Sequence, residues 1–197
     1  MDNAFFKKYS RILESIEDVA ECVDGELILI GGTALALFYL KHRVSIDLDF
    51  VPVNQNTEDT AKEKLKGALS KKGYRTQRTT YANQFIVQFE DCSVKVEIFT
   101  PEREIKQIQE FSLGSKKIKV ASIEDLLAMK QDAYYQRLEA RDLYDIVFLL
   151  KKLNRDPTSL IRLLLSYGKP KNISDLQNMV SQSQFLIFEE VLKNATA

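Results

Sequence analysis

The sequence predicts an α+β protein in which a mixed β-sheet flanked by helices is followed by a C-terminal helical bundle. Short segments in which apolar and polar residues alternate, as is typical of strands, occur only before residue 122. Segments with apolar residues at helical spacing lie between these strands and account for the chain after Ser122. We therefore expect an α/β core with an N-terminal helix over residues 1–121 and a helical region over 122–197 that packs on the core.

Each expected element has a local signal. The first helix carries apolar residues three and four positions apart and ends at Asp24-Gly25, and glycine or proline marks the later breaks. In the first half we predict helix 3–22, strand Leu27–Ile30, helix Thr33–Lys41, strand Ser45–Val51, helix Glu58–Lys72, strands Tyr74–Thr80, Gln84–Phe89 and Ser93–Phe99, and a hairpin through Leu113-Gly114-Ser115 into Lys117–Val120. In the second half we predict helices Ser122–Leu153, Thr158–Tyr167 and Ile173–Lys193.

Composition excludes several classes of protein. The 197 residues are 45% hydrophobic and 28% charged, which is typical of a globular chain and not of a disordered one. The 28 basic and 28 acidic residues cancel, so net charge predicts no general attraction to nucleic acid or anionic membranes. No apolar run approaches the roughly 20 residues of a membrane span, and the N-terminal segment mixes charged with apolar residues, unlike a secretion signal. We expect a cytoplasmic protein that makes no use of a membrane.

The cysteine and histidine content narrows the chemistry. Cys22 and Cys92 are widely separated and are expected to be free thiols, so no disulfide framework is predicted. His42 is the only histidine, which leaves a histidine metal site or a nucleophile–histidine triad without its other members. We expect His42 on the surface after the second helix.

A glycine pair marks the first candidate site. Gly31 and Gly32 separate a short apolar strand from a helix that is expected to begin at Thr33. Glycine lets an anion approach the backbone N–H groups at a helix N-terminus, and the Thr33 hydroxyl is placed to cap the helix or contact a phosphate. The turn lacks the lysine of a P-loop and the third glycine of a dinucleotide fingerprint. It indicates a phosphate site, with ordinary turn chemistry as the alternative.

Two aspartates on the next strand form the second candidate site. The period-two pattern of Ser45–Phe50 puts Asp47 and Asp49 on one face, about 6–7 Å apart, with the apolar residues on the other. Adjacent carboxylates repel each other unless a cation lies between them. Oxygen ligands favour Mg²⁺ or Mn²⁺, so the pair indicates a metal site, with a solvated strand face as the alternative.

A third acid is available on a later strand. Glu97 lies on the polar face of the strand Ser93–Phe99 and joins the two aspartates if the two strands are neighbours. Three acids beside a phosphate-holding turn are the parts of a two-metal site for phosphoryl or nucleotidyl transfer. The alternatives are that Glu97 only pairs with Lys95 or another neighbour, or that Asp91 serves as the third acid.

These residues resemble a known family. The run Gly31-Gly32-Thr33-Ala34-Leu35, followed by Arg43-x-Ser45-x-Asp47-Leu48-Asp49-Phe50, is similar to the signature of the nucleotidyltransferase superfamily, in particular its AbiEii/AbiGii-type toxins. The helical segment carrying Lys130, Arg137, Arg141-Asp142 and Asp145 resembles the later motif of that family, and the similarity spans roughly residues 27–150. The resemblance implies a polymerase-β-like nucleotidyltransferase fold, an NTP substrate and Mg²⁺ or Mn²⁺. In some members it also implies nucleotide addition to RNA by the toxin of a toxin–antitoxin pair.

The resemblance also implies roles for individual residues. By position, Gly31, Gly32, Thr33 and Ser45 belong to the nucleotide-binding turn and its approach, and Asp47 and Asp49 are the metal-binding catalytic acids. Glu97 takes the place of the third catalytic acid and metal ligand, where the superfamily usually has Asp. This departure by one methylene leaves open a catalytically silent module of the same fold.

The predicted helical half adds basic residues to the candidate nucleotide site. Lys130, Tyr134, Arg137, Arg141 and Asp145 would share one helix face if the helix is continuous. Lys130, with Arg137 or Arg141, is our candidate for contacting the NTP phosphates. The alternatives are a solvent-exposed helix face and a lattice of arginine and aspartate that holds the helical half onto the sheet.

The sequence thus favours a Mg²⁺-dependent nucleotidyltransferase that moves an NMP from an NTP to an acceptor, with RNA favoured. The tract Lys62, Lys64, Lys66, Lys71, Lys72, Arg75 and Arg78 is locally basic and is a candidate RNA surface, but a solvated helix face is the favoured explanation of this tract. The remaining functional alternatives are a silent NTP-binding or partner-binding module and transfer to a small molecule. A cognate antitoxin is an expected partner of a toxin of this type.

Overall fold

The computed structural model of the chain describes residues 4–53 and 58–196, and the α+β class is confirmed. In the first part of the chain the elements are α1 (Ala4–Val23), β1 (Leu27–Ile30), α2 (Gly31–Ala34), a π-helical turn (Leu35–Tyr39), β2 (Asp47–Pro52), α3 (Glu58–Lys71), β3 (Arg75–Arg78), β4 (Gln84–Gln88), β5 (Ser93–Ile98), β6 (Ile108–Leu113) and β7 (Lys116–Ala121). The helices α4 (Ile123–Arg137), α5 (Ala140–Lys152), α6 (Thr158–Tyr167), α7 (Ile173–Gln177) and α8 (Gln182–Thr196) follow.

The described strands form a seven-stranded mixed sheet in the order β3-β4-β5-β2-β1-β7-β6. Strand β2 lies near the centre, antiparallel to β1 and parallel to β5, and β1 is also parallel to β7. The remaining neighbours pair antiparallel, including the β6–β7 hairpin that turns at Gly114. The mixed sheet flanked by helices is therefore as predicted.

The core of the sheet follows the period-two pattern of its strands. Val94, Val96 and Ile98 of β5 are at most 1% exposed, and they alternate with the half-buried Lys95 and Glu97. Helices α1 and α3 pack on each other and on the sheet. One side of β5, and of β2 over Asp47–Phe50, is thus apolar and buried, which leaves the polar residues of these two strands together on the opposite face.

The chain divides into two compact units. The first comprises the described residues of Met1–Ala34 and Ser45–Ser122, and the second those of Leu35–Val44 and Ile123–Ala197. The first unit ends at Ser122, one residue after the predicted end of the core at residue 121. The prediction placed the segment Leu35–Val44 in the first half, whereas this segment belongs to the second unit. This segment lies in the second unit because its own neighbours are there: the N–H of Val44, for example, donates to the carbonyl of Met179 at 2.9 Å.

The second unit is entirely helical in its described residues after Ile123, but two predicted helices are interrupted. The predicted helix 122–153 breaks at Leu138, which has a left-handed φ of 58°. The break is held by a second segment: Leu138 and Ala140 exchange backbone hydrogen bonds of 2.7 and 2.8 Å with Lys171. The predicted helix 173–193 likewise separates into α7 and α8. These tertiary hydrogen bonds have no signal in local periodicity.

No helix in the described ranges is both long enough and apolar enough to cross a membrane.

Substitutions at two leucines test whether the contribution of a helical leucine to stability depends on its burial. Leu65 of α3 is 1% exposed, whereas Leu13 of α1 is 48% exposed. We expect Leu65→Ala to lower the free energy of unfolding by about 2–5 kcal/mol, because it leaves a cavity in the core. Leu13→Ala should change the free energy of unfolding by less than about 1 kcal/mol. Urea denaturation followed by circular dichroism measures both, and equal losses would contradict the packing described here.

Candidate active site

Two carboxylates lie on the open face of the central strand β2. Asp47 and Asp49 alternate with Leu48 and Phe50, which are at most 2% exposed. Because alternate residues of a strand share a face, the two carboxylates lie on the side opposite the core, as predicted. Hydrogen bonding to β1 on one side and β5 on the other fixes their position.

The third predicted acid lies on the neighbouring strand. The parallel register of β2 and β5 places Asp47 beside Lys95 and Asp49 beside Glu97. The expectation that Glu97 lies beside the two aspartates therefore agrees with the strand order. Asp91, the alternative third acid, is instead ion-paired at 3.1 Å with Arg11 of α1.

The glycine pair lies directly beside the carboxylates. The helix begins at Gly31, two residues earlier than the predicted Thr33, and Gly31 has a φ of 72°. A Cβ on Gly31 would collide with Oδ2 of Asp49 and lie 3.3 Å from its Cβ and Cγ. Glycine is thus required by both the left-handed backbone and the close approach of Asp49.

Thr33 and Ser45 connect the start of this helix to β2. The Thr33 hydroxyl donates to the main-chain carbonyl of Asp47 and lies 2.9 Å from the Ser45 hydroxyl. Thr33 is 0% exposed and Ser45 is 5% exposed, and Gly32 is also buried. In this geometry the Thr33 hydroxyl positions Asp47, and the exposed part of the turn is Gly31. A direct contact of Thr33 or Ser45 with a nucleotide stays a prediction.

Glu97 is held by two hydrogen-bond donors. Its Oε2 accepts from Nζ of Lys95 at 3.1 Å, and its Oε1 accepts from Nδ2 of Asn83 at 3.0 Å. The same Lys95 ammonium lies 4.0 Å from Oδ2 of Asp47. The like charges of the strand face are therefore bridged by a lysine of the protein itself.

Lys95 is a site residue that the sequence indicated only as a pairing partner of Glu97. Burial opposes its charge, but the carboxylates of Asp47, Glu97 and Asp49 together raise the pKa of Lys95 above its usual range. The ammonium is therefore charged at neutral pH. Its position two residues before Glu97 on a strand puts both side chains on one face, which was a usable signal.

The donor set fits one divalent cation on Asp47 and Asp49. Hard cations bind carboxylate oxygens, and Mg²⁺ commonly takes one or two protein carboxylates with water and substrate phosphate completing its shell. Across residues 4–53 and 58–196, no three His, Cys, Asp or Glu side chains are grouped as metal ligands. The metal roles of Asp47, Asp49 and Glu97 remain predictions.

Two of the three predicted basic residues of the helical half, Lys130 and Arg137, pair in a cluster with buried aspartates of the second unit. Nζ of Lys130 is 2.8 Å from Asp142 and 2.9 Å from Asp145, and Lys130 is 6% exposed. Arg137 donates from Nε and Nη2 to Asp142 at 2.7 and 2.8 Å. Because the helix breaks at Leu138, the continuous face on which Arg141 was expected is not formed. Contact of Lys130, Arg137 and Arg141 with phosphates stays a prediction, and Lys130 and Arg137 are paired with aspartates of their own unit.

Arg43 and His42 complete this cluster, and the expected surface position of His42 is wrong. Arg43 donates to both carboxylate oxygens of Asp145, at 2.7 and 2.8 Å. His42 is 1% exposed, its Nε2 is 2.7 Å from Asp145, and its ring stacks on Tyr144 at 5.4 Å. Periodicity could not find this burial, because it depends on the contacts of the segment Leu35–Val44 within the second unit.

The charges of the cluster are set by burial and pairing. Burial opposes the charge of Asp145, but Arg43 and Lys130 hold its pKa well below the usual range, and Lys130 and Arg137 similarly lower the pKa of Asp142. Burial also lowers the pKa of His42, despite its bond to Asp145. The histidine is therefore neutral at pH 7, and its Nε2–H donates to Asp145.

The basic tract of α3 and β3 is largely paired with acids of the first unit. Lys62, Lys66 and Lys64 lie 3.0, 3.4 and 3.0 Å from Asp59, Glu63 and Glu26, respectively. Lys72 contacts Asp18 and Glu21 at 2.8 and 2.9 Å. Surface ion pairs of this kind contribute little to stability, but they reduce the positive field that an RNA would meet. This arrangement agrees with the solvated helix face that was the alternative.

The seven-stranded mixed sheet flanked by helices matches nucleotidyltransferase-like folds. The family model described as "Nucleotidyl transferase AbiEii toxin, Type IV TA system" matches residues 12–195. The chain belongs to this family, as the sequence motifs predicted. A search of curated protein sequences gives no match.

Solved structures share the fold at low sequence identity. JHP933 from Helicobacter pylori has a TM-score of 0.55 and 18% identity, covering 95% of this chain and 92% of that one. An antigenic nucleotidyltransferase-like protein from Paracoccidioides brasiliensis has a TM-score of 0.53 and 18% identity, covering 94% of each chain. The antibiotic-resistance factor ANT(2'')-Ia has a TM-score of 0.50 and 13% identity, covering 80% of this chain and 90% of that one. The predicted nucleotidyltransferase-like fold is therefore confirmed.

Two glycine substitutions test the contact between the turn and Asp49. Gly31→Ala should lower the free energy of unfolding by about 1–3 kcal/mol, because alanine is strained at this φ and its Cβ meets Asp49. Gly67 lies inside α3, where a Cβ would meet nothing within 4 Å, so Gly67→Ala should stabilise by about 0.5–1 kcal/mol. Urea unfolding of both variants measures the difference. A neutral Gly31→Ala would contradict the close approach.

The buried cluster predicts how stability changes with pH. His42 has a lowered pKa in the folded protein, so below about pH 6.5 the unfolded chain takes up a proton that the folded protein does not. The free energy of unfolding should therefore begin to fall below about pH 6.5. Asp142 and Asp145 have lowered pKa values, so their contribution is present above about pH 3.9 and is lost as pH falls further.

Since His42 is the only histidine, the upper step can be assigned by one variant. His42→Gln keeps an N–H donor for Asp145 but does not titrate, so its stability should be nearly constant from about pH 6.5 to pH 5. Urea denaturation across that range compares it with the wild-type chain. Identical slopes in the two proteins would show that His42 is not held neutral.

Proposed function

We propose that this protein is a Mg²⁺-dependent nucleotidyltransferase that transfers an NMP from an NTP to an acceptor, with RNA favoured, as the toxin of a toxin–antitoxin pair. Its family is a nucleotidyl transferase toxin family, and the match extends over residues 12–195. The observation that carries the proposal is the placement of Asp47 and Asp49 on the open face of β2, in contact with the glycine turn at Gly31.

In this proposal, different residues of the first unit bind the triphosphate, bind the metal ion and position the carboxylates. Gly31 has no side chain to block the approach of the triphosphate to the backbone at the start of the helix. The Thr33 hydroxyl holds the carbonyl of Asp47, and the β1 and β5 pairings hold the strand on both sides. Asp47 and Asp49 would hold the metal ion. When bound, Mg²⁺ neutralises phosphate charge and orients the NTP for attack by an acceptor hydroxyl.

We infer RNA as the acceptor from the family and not from the charge of the protein surface. An RNA acceptor would have to reach Asp47 and Asp49. The basic tract at Lys62–Arg78 is largely ion-paired, so it gives little separate support for RNA binding. A small-molecule acceptor remains a different outcome of the same assay. A cognate antitoxin is the partner that the type IV family implies.

A second candidate function is a catalytically silent nucleotide-binding or partner-binding module. The observation that favours it is Glu97, where the superfamily usually has Asp, with both of its oxygens engaged by Asn83 and Lys95. Such a module would bind an NTP with little dependence on Mg²⁺ and would form no product.

Substitution of the β2 aspartates tests the proposed activity. The wild-type chain, incubated with each labelled NTP, Mg²⁺ and total RNA, should incorporate label into RNA from at least one nucleotide. We expect Asp47→Asn, and separately Asp49→Asn, to reduce incorporation at least about 100-fold, because the metal loses a charged ligand. Circular dichroism melting checks that each variant is folded.

A matched control uses an aspartate outside the site. Asp59 of α3 has a side chain that is 74% exposed and pairs with Lys62, so Asp59→Asn should leave incorporation unchanged. A folded Asp47→Asn variant with full activity would contradict the proposed site. Absence of label from every NTP, with NTP binding intact, would favour the silent module or a small-molecule acceptor.

A further inference from the structure

Lys95 places an ammonium group among the three carboxylates, where it would repel a metal cation. On the open face of the sheet, Lys95 and Glu97 of β5 stand beside Asp47 and Asp49 of β2 in parallel register. The ammonium is 3.1 Å from Oε2 of Glu97 on its own strand and 4.0 Å from Oδ2 of Asp47 on the paired strand. It therefore approaches both carboxylates that a metal ion shared by Glu97 and Asp47 would have to join.

Glu97 is held on its other side as well. Its Oε1 accepts from Asn83, and Asn83 is itself fixed because its main-chain carbonyl accepts from the N–H of Ile98 at 2.9 Å. Both carboxylate oxygens thus have a hydrogen-bond donor from the protein. To ligate a metal, Glu97 would have to exchange a charge-assisted bond to Lys95 for the metal bond.

The charges of the group also favour a single cation. Three carboxylates and one ammonium sum to a charge of −2, which one divalent cation neutralises. A metal ion shared by Asp47 and Glu97 would be repelled by the Lys95 ammonium, which approaches both of these carboxylates.

We propose that Lys95 withholds Glu97 from the metal-binding set, so that Asp47 and Asp49 bind the divalent cation without the third acid. The proposal rests on the proposed function, and it assigns Lys95 a positioning role. The lysine holds Glu97 in place and supplies a fixed positive charge on the side of the site where a third ligand would stand. Removing it should release Glu97 to become a ligand.

A double-mutant cycle on Mn²⁺ binding tests this. Free Mn²⁺ is quantified by electron paramagnetic resonance during titration of the wild-type chain, Lys95→Met, Glu97→Gln and the double variant. We expect Lys95→Met to tighten Mn²⁺ binding about 10- to 100-fold when Glu97 is present, because the site gains a carboxylate ligand. In the Glu97→Gln background the same change should tighten binding clearly less than in the wild-type background, because only the repulsion by the lysine is then removed and no ligand is gained.

Two control variants show whether the effect on Mn²⁺ affinity is specific to the loss of a positive charge at residue 95. Lys95→Arg keeps a cation beside Glu97 and should retain the wild-type affinity for Mn²⁺ within about threefold. Lys117→Met removes a lysine whose side chain is 70% exposed and which pairs with Glu110 on the β6–β7 hairpin, so it should not change the affinity. Urea unfolding identifies any variant that is not folded, and Lys95→Gln replaces Lys95→Met if the latter fails.

The outcomes distinguish this proposal from the proposed function. Equal tightening by Lys95→Met with and without Glu97 would show that the lysine acts only as a charge, and no tightening would show that Glu97 is not withheld. Either result overturns the role of Lys95 and leaves the transfer reaction standing. A wild-type chain that binds no Mn²⁺ would overturn both this proposal and the metal-dependent function.

Discussion

The position of every candidate catalytic group in the first unit depends on the pairing of β2 with its two neighbours. The strand is hydrogen-bonded to β1 on one side and to β5 on the other, and its residues Asp47–Phe50 alternate between the open face and the core. A shift of one residue in register would bury Asp47 and Asp49 and expose Leu48 and Phe50. The apolar residues of β2 thus determine which face carries the carboxylates, because a slip of one residue would expose Leu48 and Phe50.

The same strand also explains the glycine and the lysine. The turn after β1 passes so close to Asp49 that a side chain at Gly31 would collide with the carboxylate. On the other side, the group of acids is brought together at the cost of like-charge repulsion, and Lys95 offsets that repulsion by pairing with Glu97 and approaching Asp47.

In the second unit, Arg43 and Lys130 pair in the same way with Asp145, and all three side chains are buried. Breaking such buried pairs by removing one partner is strongly destabilising, so these residues have a structural role whatever their part in the reaction.

Local patterns in the sequence predicted most of the sheet, because the strands of the first unit alternate regularly between a buried and an open face. The strand Leu27–Ile30 and the helix Thr158–Tyr167 were predicted to the residue, and β2, β3, β4, β5 and β7 to within about two residues, whereas β6 was predicted only through its hairpin turn. The family could be predicted from the glycine turn and the spacing of the aspartates, because both are features of the local sequence. That the strand with Glu97 lies beside β2 could be predicted only from the fold that the family resemblance implies.

The errors have a common physical origin in contacts between distant segments. Leu138 takes up a left-handed backbone where Lys171 bonds to it and to Ala140, and none of these residues is a glycine or proline. His42 is buried by Tyr144 and Asp145, about a hundred positions later in the chain. Lys95 was visible as a strand residue two positions before Glu97, but its approach to Asp47 depends on the register between two strands.

The central claim is that Asp47 and Asp49 of β2 are the metal-binding carboxylates of a nucleotidyltransferase site. The most direct measurement is the anomalous diffraction of a crystal of the wild-type chain grown with Mn²⁺ and a non-hydrolysable NTP. We predict a Mn²⁺ peak within ligand distance of Asp47 and Asp49, with the triphosphate beside Gly31. A nucleotide and metal bound elsewhere on the chain, with no Mn²⁺ at these two aspartates, would contradict this claim.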